Sequence, residues 1–166
     1  MFYMYAVHTE MEEILEQSDH PPPSVTIQGD ADIHHAWIEE HAIAALIFLR
    51  KEDSDVSIVV VDDSAMSELH IKHSGVEGTT DVLTFDRGSD DKAVHADIAI
   101  CIDVASRESE ERNHSLEEEL LLYLVHGILH CCGFDDKDDE SHAKIHAEED
   151  RVLEAIGIGS LWSSKS

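Results

Sequence analysis

A strongly apolar helical segment over residues 115–132 limits the possible folds more than any other feature of the chain. Ser115 and Glu118 stand at the spacing of a capping box, in which each side chain satisfies a backbone N–H of the other residue. From residue 120 to residue 129 the segment is apolar except for His126, so all of its faces need cover. Gly133 supplies a left-handed stop. We therefore expect this helix at the centre of the core.

Short runs of β-branched and apolar residues predict the strands that surround this helix. Strands are expected at residues 25–27, 55–62, 82–85 and 96–102, and helices at residues 30–50, 64–73, 103–112, 115–132 and 139–156. Asp30 is the expected N-cap of the first helix. The order β-α-β-α-β-β-α-α-α is typical of the α+β class. We predict a small mixed β-sheet of about four strands, packed with helices.

The length of 166 residues favours one domain. We predict an N-terminal extension over residues 1–23, which ends in three prolines, a single domain over residues 24–160, and a tail over residues 161–166. The sequence contains neither an apolar run of about 18 residues nor a basic secretory leader, so we expect no membrane contact. Three cysteines, two of them adjacent, indicate a reducing compartment, and we predict the cytoplasm.

The net charge narrows the possible partners. The chain has 37 acidic and 11 basic side chains, which gives a net charge of −26. Such an excess repels polyanions at long range and argues against nucleic-acid binding through a basic face. It still allows a local site at which a metal ion meets a few phosphates. The acids are spread along the chain, which favours solubility or salt adaptation over a surface for a cationic partner.

Two histidines on the central helix form the strongest candidate for a chemical site. His126 and His130 are separated by about 40° of rotation and about 6 Å of rise, so both imidazoles leave the same face. Gly127 is unfavourable in a helix and indicates a close approach to the backbone. Beyond the turn, either Asp135 or Asp136 can add a carboxylate. Two imidazoles, one carboxylate and an open fourth position form the pattern of a catalytic zinc site.

Other candidates are weaker. His142 and His146, with Glu149 nearby, form a second pair at the same spacing, but on an acidic segment whose histidines we expect to face solvent. The His-Glu-x-x-His pattern of zinc peptidases is not met, because Gly127 stands where the glutamate is needed. The sequence also lacks a nucleophile elbow, a P-loop and a dinucleotide fingerprint. Cys131 and Cys132 are predicted as small core residues.

The segment HGILHCCGFDD at residues 126–136 resembles the signature of the YbeY family of bacterial endoribonucleases, which act in ribosomal RNA maturation. That signature reads His-Gly-x-Leu-His-Leu-x-Gly-Tyr-Asp-His. The segment TTDVLTF at residues 79–85 is similar to the family's Pro-Thr-Asp-Val-Leu-Ser-Phe, and ADIAI at residues 96–100 is similar to its Gly-Asp-Ile-x-Ile. The resemblance extends from about residue 25 to residue 157.

The resemblance implies a zinc-dependent, single-strand endoribonuclease of ribosomal RNA maturation and processing. It implies one Zn²⁺ per chain, a ribosomal RNA precursor as substrate, and ribosomal proteins as further partners. The implied metal ligands are His126, His130 and Asp136, and Asp135 becomes a structural group. The family usually has histidine at the position of Asp136. Aspartate is also a zinc ligand, and its charge favours a harder cation.

The family also has an Asn-x-x-Tyr-Arg-Gly stretch, which corresponds here to residues 70–75. Ser74 stands in place of the arginine that would stabilise phosphate charge, and Lys72 or His73 is the nearest replacement. The resemblance implies His73, Ser74 and Thr80 as substrate-binding residues. Two alternatives stay open. One is a non-catalytic, ribosome-associated module with a structural metal, which the missing arginine favours, and the other is a general zinc hydrolase.

Overall fold

The computed structural model describes residues 21–29 and 31–162, together with residues 9, 12, 13, 16, 17 and 19. Within them the strands are β1 (Ser24–Gln28), β2 (Asp55–Val61), β3 (Val82–Asp86) and β4 (His95–Cys101). The helices are α1 (His35–Phe48), α2 (Asp63–Ser74), α3 (Ile102–Arg112), α4 (Leu116–Cys131) and α5 (Asp139–Ala155). The predicted order of elements and the α+β class are confirmed. Most of the predicted extension, and residues 163–166 of the predicted tail, lie outside the described residues.

The four strands form one mixed sheet in the order β1-β2-β4-β3. Strands β1, β2 and β4 run parallel, and β3 is antiparallel to β4. In the register of the sheet, Ile98 of β4 pairs with Ile58 of β2 on one side and with Thr84 of β3 on the other. Alternate residues of β2 are buried, as expected for a strand with one face on the core. The predicted mixed sheet is thereby confirmed.

Helix α4 lies at the centre of the core, as its apolar sequence predicts. Leu120, Leu124 and Ile128 are buried in the cluster that α4 shares with the sheet and α1. On other sides of the same helix, Leu121 and Leu129 are buried against α1 and α5. Packing on both sides explains why the segment has hardly any polar face. Within the described residues, none of the helices has both the length and the apolarity needed to cross a membrane.

The N-cap of α4 agrees with the prediction from the sequence, whereas the start of α1 differs from it. Ser115 caps α4 as predicted, because its Oγ accepts a hydrogen bond from the N–H of Glu118 and the Glu118 carboxylate accepts one from the N–H of Ser115. Helix α1 starts later than predicted, at His35. Nδ1 of His34 accepts a hydrogen bond from the N–H of Trp37 at 3.1 Å and so takes the capping role. Asp30, the predicted cap, lies outside the described residues.

Candidate metal centre

The two histidines of the central helix converge as their spacing predicts. His126 and His130 lie near the C-terminal end of α4, with side chains 18% and 32% exposed. Their rings are 4.5 Å apart between centroids and nearly perpendicular, at 81°. Their Nε2 atoms are 3.0 Å apart. The apolar helix therefore presents two nitrogen atoms to one point at the edge of the core.

The turn after α4 brings a carboxylate to the same point. Gly133 has a φ of 94°, which reverses the chain without the strain that a side chain would cause there. Oδ2 of Asp136 then lies 3.3 Å from Nε2 of His126 and 3.5 Å from Nε2 of His130. Asp135 does not share this role, because its Oδ1 accepts hydrogen bonds from the N–H groups of Asp136 and Lys137. The structure thus brings together the three side chains that were predicted as metal ligands, and Asp135 holds the turn.

The Nδ1 atom of each imidazole, on the side of the ring away from the proposed metal, makes a hydrogen bond to a protein oxygen atom. Nδ1 of His126 donates a hydrogen bond to Oε1 of Glu149, whose side chain is fully buried. Nδ1 of His130 donates to the carbonyl oxygen of Phe134 at 3.1 Å. When Nδ1 carries the proton, the lone pair of a neutral imidazole is on Nε2. Both Nε2 atoms are therefore oriented as ligands, in the arrangement that accompanies metal-bound histidines.

The geometry of the three atoms fits a tetrahedral cation. Ligands at about 2.0–2.1 Å from zinc are separated from one another by about 3.3–3.4 Å. The three observed separations, between 3.0 and 3.5 Å, bracket that value. The three atoms also converge as acceptors, which favours a positive charge between them. Burial disfavours charge on the ring of His126, yet the carboxylates of Glu149 and Asp136 raise its pKa, so the surroundings of the ring attract cations.

An open cavity of about 430 Å³ adjoins the three atoms, a size that is common for ligand sites. Thr80, one of the predicted substrate-binding residues, lines it. Among the described residues, His73 and Ser74 are not part of its wall. The ring of His73 lies 4.4 Å from the ring of Phe85, and the hydroxyl of Ser74 donates to the carbonyl of His70. A role of His73 and Ser74 in substrate binding therefore stays a prediction.

Gly127 lies at a close contact, as predicted, and the contact is between α4 and the β-sheet. A Cβ atom at this position would lie 2.6 Å from Oγ1 of Thr84 and 3.3 Å from Cδ1 of Ile98. Both distances are shorter than comfortable packing contacts between such atoms. The glycine therefore lets α4 settle directly on β3 and β4, which places His126 beside the residues of β3 that line the cavity.

The sequence does not predict the contact of Glu149 with His126; it places this glutamate only near the second histidine pair. A signal was available in the spacing of Ile145, Glu149, Val152 and Leu153, which lie on one face of α5 and are all buried. A carboxylate at a core position of a helix needs a buried partner. Only the crossing of α5 over α4 decides that His126 is one of its partners.

The adjacent cysteines are partly buried and pack against the main core cluster. Cys131 also lines the cavity. Burial, together with the negative charge of Asp86, raises the pKa of its thiol to about 11. The packing of both cysteines against the core agrees with the prediction that they are small core residues.

Comparison with known proteins shows an extended similarity. The sequence model of the family described as Endoribonuclease YbeY matches residues 25–157. The chain is 31% identical over 150 residues to Endoribonuclease YbeY of Heliobacterium modesticaldum, which covers 80% of this chain and 90% of that protein. It is also 31% identical over 144 residues to Endoribonuclease YbeY of Caldicellulosiruptor bescii, with 78% and 91% covered.

The fold resembles a solved structure as well. The solution structure of TM1509 from Thermotoga maritima covers 84% of this chain and 90% of its own, with a TM-score of 0.54 and 23% identity. This likeness supports the assignment of the fold. The range of the family match coincides with the extent of the resemblance found from the motifs of the sequence.

Proposed function

This chain belongs to the YbeY family, and from this premise we propose that it is a zinc-dependent endoribonuclease that cleaves single-stranded segments of ribosomal RNA precursors during their maturation. The observation that carries the proposal is the convergence of Nε2 of His126, Nε2 of His130 and Oδ2 of Asp136 beside an open cavity. Three protein ligands leave one position of a tetrahedral ion open, which is the pattern of catalytic rather than structural zinc.

A bound Zn²⁺ supplies Lewis-acid chemistry at a phosphoryl oxygen and favours an activated nucleophile. The chain's own residues hold that ion in place. His126, His130 and Asp136 would be its ligands, one Zn²⁺ per chain. Glu149 and the carbonyl of Phe134 keep the proton of each imidazole on Nδ1, so that both Nε2 atoms stay available. Thr80 lines the cavity in which the substrate would lie.

The negative net charge of the chain limits the ways in which it can bind RNA. With a net charge of −26, the protein as a whole repels RNA. Asp81, Asp86 and Asp136 also line the cavity and add to this repulsion unless a cation is bound. We therefore expect RNA affinity to depend on the metal and a few local contacts, with ribosomal proteins as partners that add further contacts.

We further propose that residues 24–160 form the catalytic unit and that the protein works in the cytoplasm. The family match covers residues 25–157, which supports the first point. All three cysteines are free thiols, which supports a reducing compartment.

The experiment that tests the function compares RNA cleavage by the wild type, the chelator-treated wild type and His130→Ala. His130 is the better choice for substitution, because loss of His126 would remove a partner from the buried carboxylate of Glu149. His35→Ala, at the start of α1, is the matched histidine control. We expect cleavage by the wild type and His35→Ala, with restoration by Zn²⁺ after chelation. Equal cleavage by all four samples would remove the metal from the mechanism.

A structural role of the metal is the alternative, and Ser74 in place of the family's arginine favours it. The two functions predict different effects of chelation on the melting temperature of the protein. A large fall of Tm on chelation, combined with RNA that stays intact in the presence of metal, would assign a structural role. Cleavage that needs the metal, with a small change of Tm, would assign the catalytic one.

A further inference from the structure

A second imidazole pair lies on α5 and has nearly the same geometry as the first. His142 and His146 are separated by four residues, and their Nε2 atoms are 2.8 Å apart. Their rings are 4.1 Å apart between centroids, at an angle of 85°. The corresponding values for His126 and His130 are 4.5 Å and 81°. The sequence predicts that both rings face solvent; His142 is exposed as predicted, whereas the side chain of His146 is only 16% exposed.

Glu149 holds the second pair as it holds the first. Its Oε2 accepts a hydrogen bond from Nδ1 of His146 at 2.8 Å, while its Oε1 accepts one from Nδ1 of His126. The proton on Nδ1 leaves the lone pair of His146 on Nε2, directed at His142. The ring of His146 also stacks on Trp162, with centroids 3.8 Å apart. His146 is therefore held by two contacts, while His142 is exposed.

The surroundings of this pair favour a cation. A cavity of about 180 Å³ is lined by both histidines and by the carboxylate residues Asp81 and Glu149, and it also adjoins His126 and Asp136 of the proposed site on α4. Arg112 also lines it. Its guanidinium is paired with Glu108 and Glu119 at 3.1 Å each, so its charge is balanced locally. The cavity therefore combines two imidazole nitrogens with an excess of negative charge.

We propose that His142 and His146 bind a second divalent cation of the kind that prefers imidazole ligands, Zn²⁺, Ni²⁺ or Cu²⁺. Nε2 of each ring is a ligand, and water completes the coordination shell. A tetrahedral ion needs the two nitrogens about 0.5 Å further apart than they are, and rotation of the exposed His142 ring provides this. With two protein ligands, the site is weaker than the proposed three-ligand site on α4.

The experiment measures Zn²⁺ stoichiometry of the full chain by equilibrium dialysis and elemental analysis. His142→Ala removes one ligand from an exposed position and leaves the buried contacts of His146 intact. Lys144→Ala, exposed on the same helix, is the matched control. We expect about two Zn²⁺ for the wild type and Lys144→Ala, and about one for His142→Ala. Equal stoichiometry for the wild type and His142→Ala would overturn the proposal.

His130→Ala separates this proposal from the proposed function. If both sites exist, His130→Ala also binds about one Zn²⁺, and the double variant His130→Ala/His142→Ala binds almost none. If the site on α4 fails, His130→Ala keeps the stoichiometry of the wild type while His142→Ala still loses one ion. If the site on α5 fails, His142→Ala keeps the stoichiometry of the wild type while His130→Ala loses one ion.

Discussion

The buried carboxylate of Glu149 accepts a hydrogen bond from Nδ1 of His126, across the contact between α5 and α4. This bond joins two residues that are separated by 23 positions in the sequence. In the neutral ring it leaves the lone pair on Nε2, which is directed at His130 and Asp136. The orientation of a ligand on one helix is thus set by a side chain that belongs to another.

Replacement of Glu149 by glutamine is expected to weaken Zn²⁺ binding at the site on α4 by about 10- to 100-fold, the usual effect of losing a carboxylate behind a metal-bound histidine. The amide has one oxygen acceptor, so it cannot serve both His126 and His146. Competition with a chromophoric chelator measures the affinity. Glu148→Gln, on the neighbouring and partly exposed position, is the control. Unchanged affinity in Glu149→Gln would show that this carboxylate does not act on the metal.

Replacement of Asp136 by histidine is expected to preserve metal binding, because it restores the residue that the family usually has at this position. Asp136→Ala is expected to lose most of the affinity, since two ligands remain. Metal content after dialysis measures both variants, and circular dichroism establishes that they are folded. A folded Asp136→His without metal would mean that residue 136 lies outside the coordination sphere.

Replacement of Gly127 by alanine is expected to destabilise the protein by about 1–3 kcal/mol, the usual cost of overpacking, although alanine gains about 1 kcal/mol in helix propensity. The new Cβ would lie 2.6 Å from Oγ1 of Thr84. Urea unfolding measures the free energy of unfolding. The double variant Gly127→Ala/Thr84→Ala is the control. In the Thr84→Ala background, Gly127→Ala should lower the free energy of unfolding by less than it does in the wild type. Additive effects would contradict the contact.

The pair of Asp63 and Arg107 is expected to give a pH-dependent contribution to stability. Hydrogen bonds from Arg107 lower the pKa of Asp63 from 3.8 to about 2. A carboxylate with a lowered pKa stabilises the fold above its unfolded pKa, and the contribution is lost as the pH falls toward about 2. The difference in unfolding free energy between the wild type and Arg107→Gln should therefore be constant above about pH 5 and shrink below about pH 4. A difference that persists at low pH would contradict this assignment.

The affinity for single-stranded RNA is expected to depend weakly on salt. Each phosphate that a protein neutralises contributes a slope of about −0.7 in a plot of log K against log salt concentration. The cavity offers one or two such contacts through a cation, so the slope should be between about −0.7 and −1.4. Salt also screens the repulsion between RNA and the negatively charged protein, which favours the shallow end of this range. Fluorescence anisotropy at several salt concentrations measures it, and a slope steeper than about −4 would require a basic surface.

The sequence predicts the elements well where local chemistry decides the structure. The capping box at Ser115, the stop at Gly133 and the apolar run between them define α4 without reference to the rest of the chain. The same holds for the convergence of His126 and His130, which follows from helix geometry alone. The start of α1 was predicted too early, because histidine is not among the usual N-cap residues, yet His34 takes that role.

Features that depend on the crossing of elements could not be read from the sequence. Gly127 correctly indicated a close contact, but the identity of Thr84 as the neighbour depends on how α4 lies on the sheet. In the same way, the burial of Glu149 and its contact with His146 follow from positions within α5, whereas its contact with His126 depends on how α5 packs on α4. The placement of His73 and Ser74 outside the wall of the cavity likewise depends on tertiary packing, since the ring of His73 lies against Phe85 of β3.

The buried carboxylate also opposes a slip of the last helix. Its bond to His146 lies within α5 and moves with that helix, whereas its bond to His126 crosses to α4. A slip of α5 along α4 would break the bond to His126 and leave one buried oxygen of Glu149 without its partner, at a cost of about 1–3 kcal/mol. We therefore expect Glu149 to favour one register of the final helix, an effect on packing specificity that is separate from its part in chemistry.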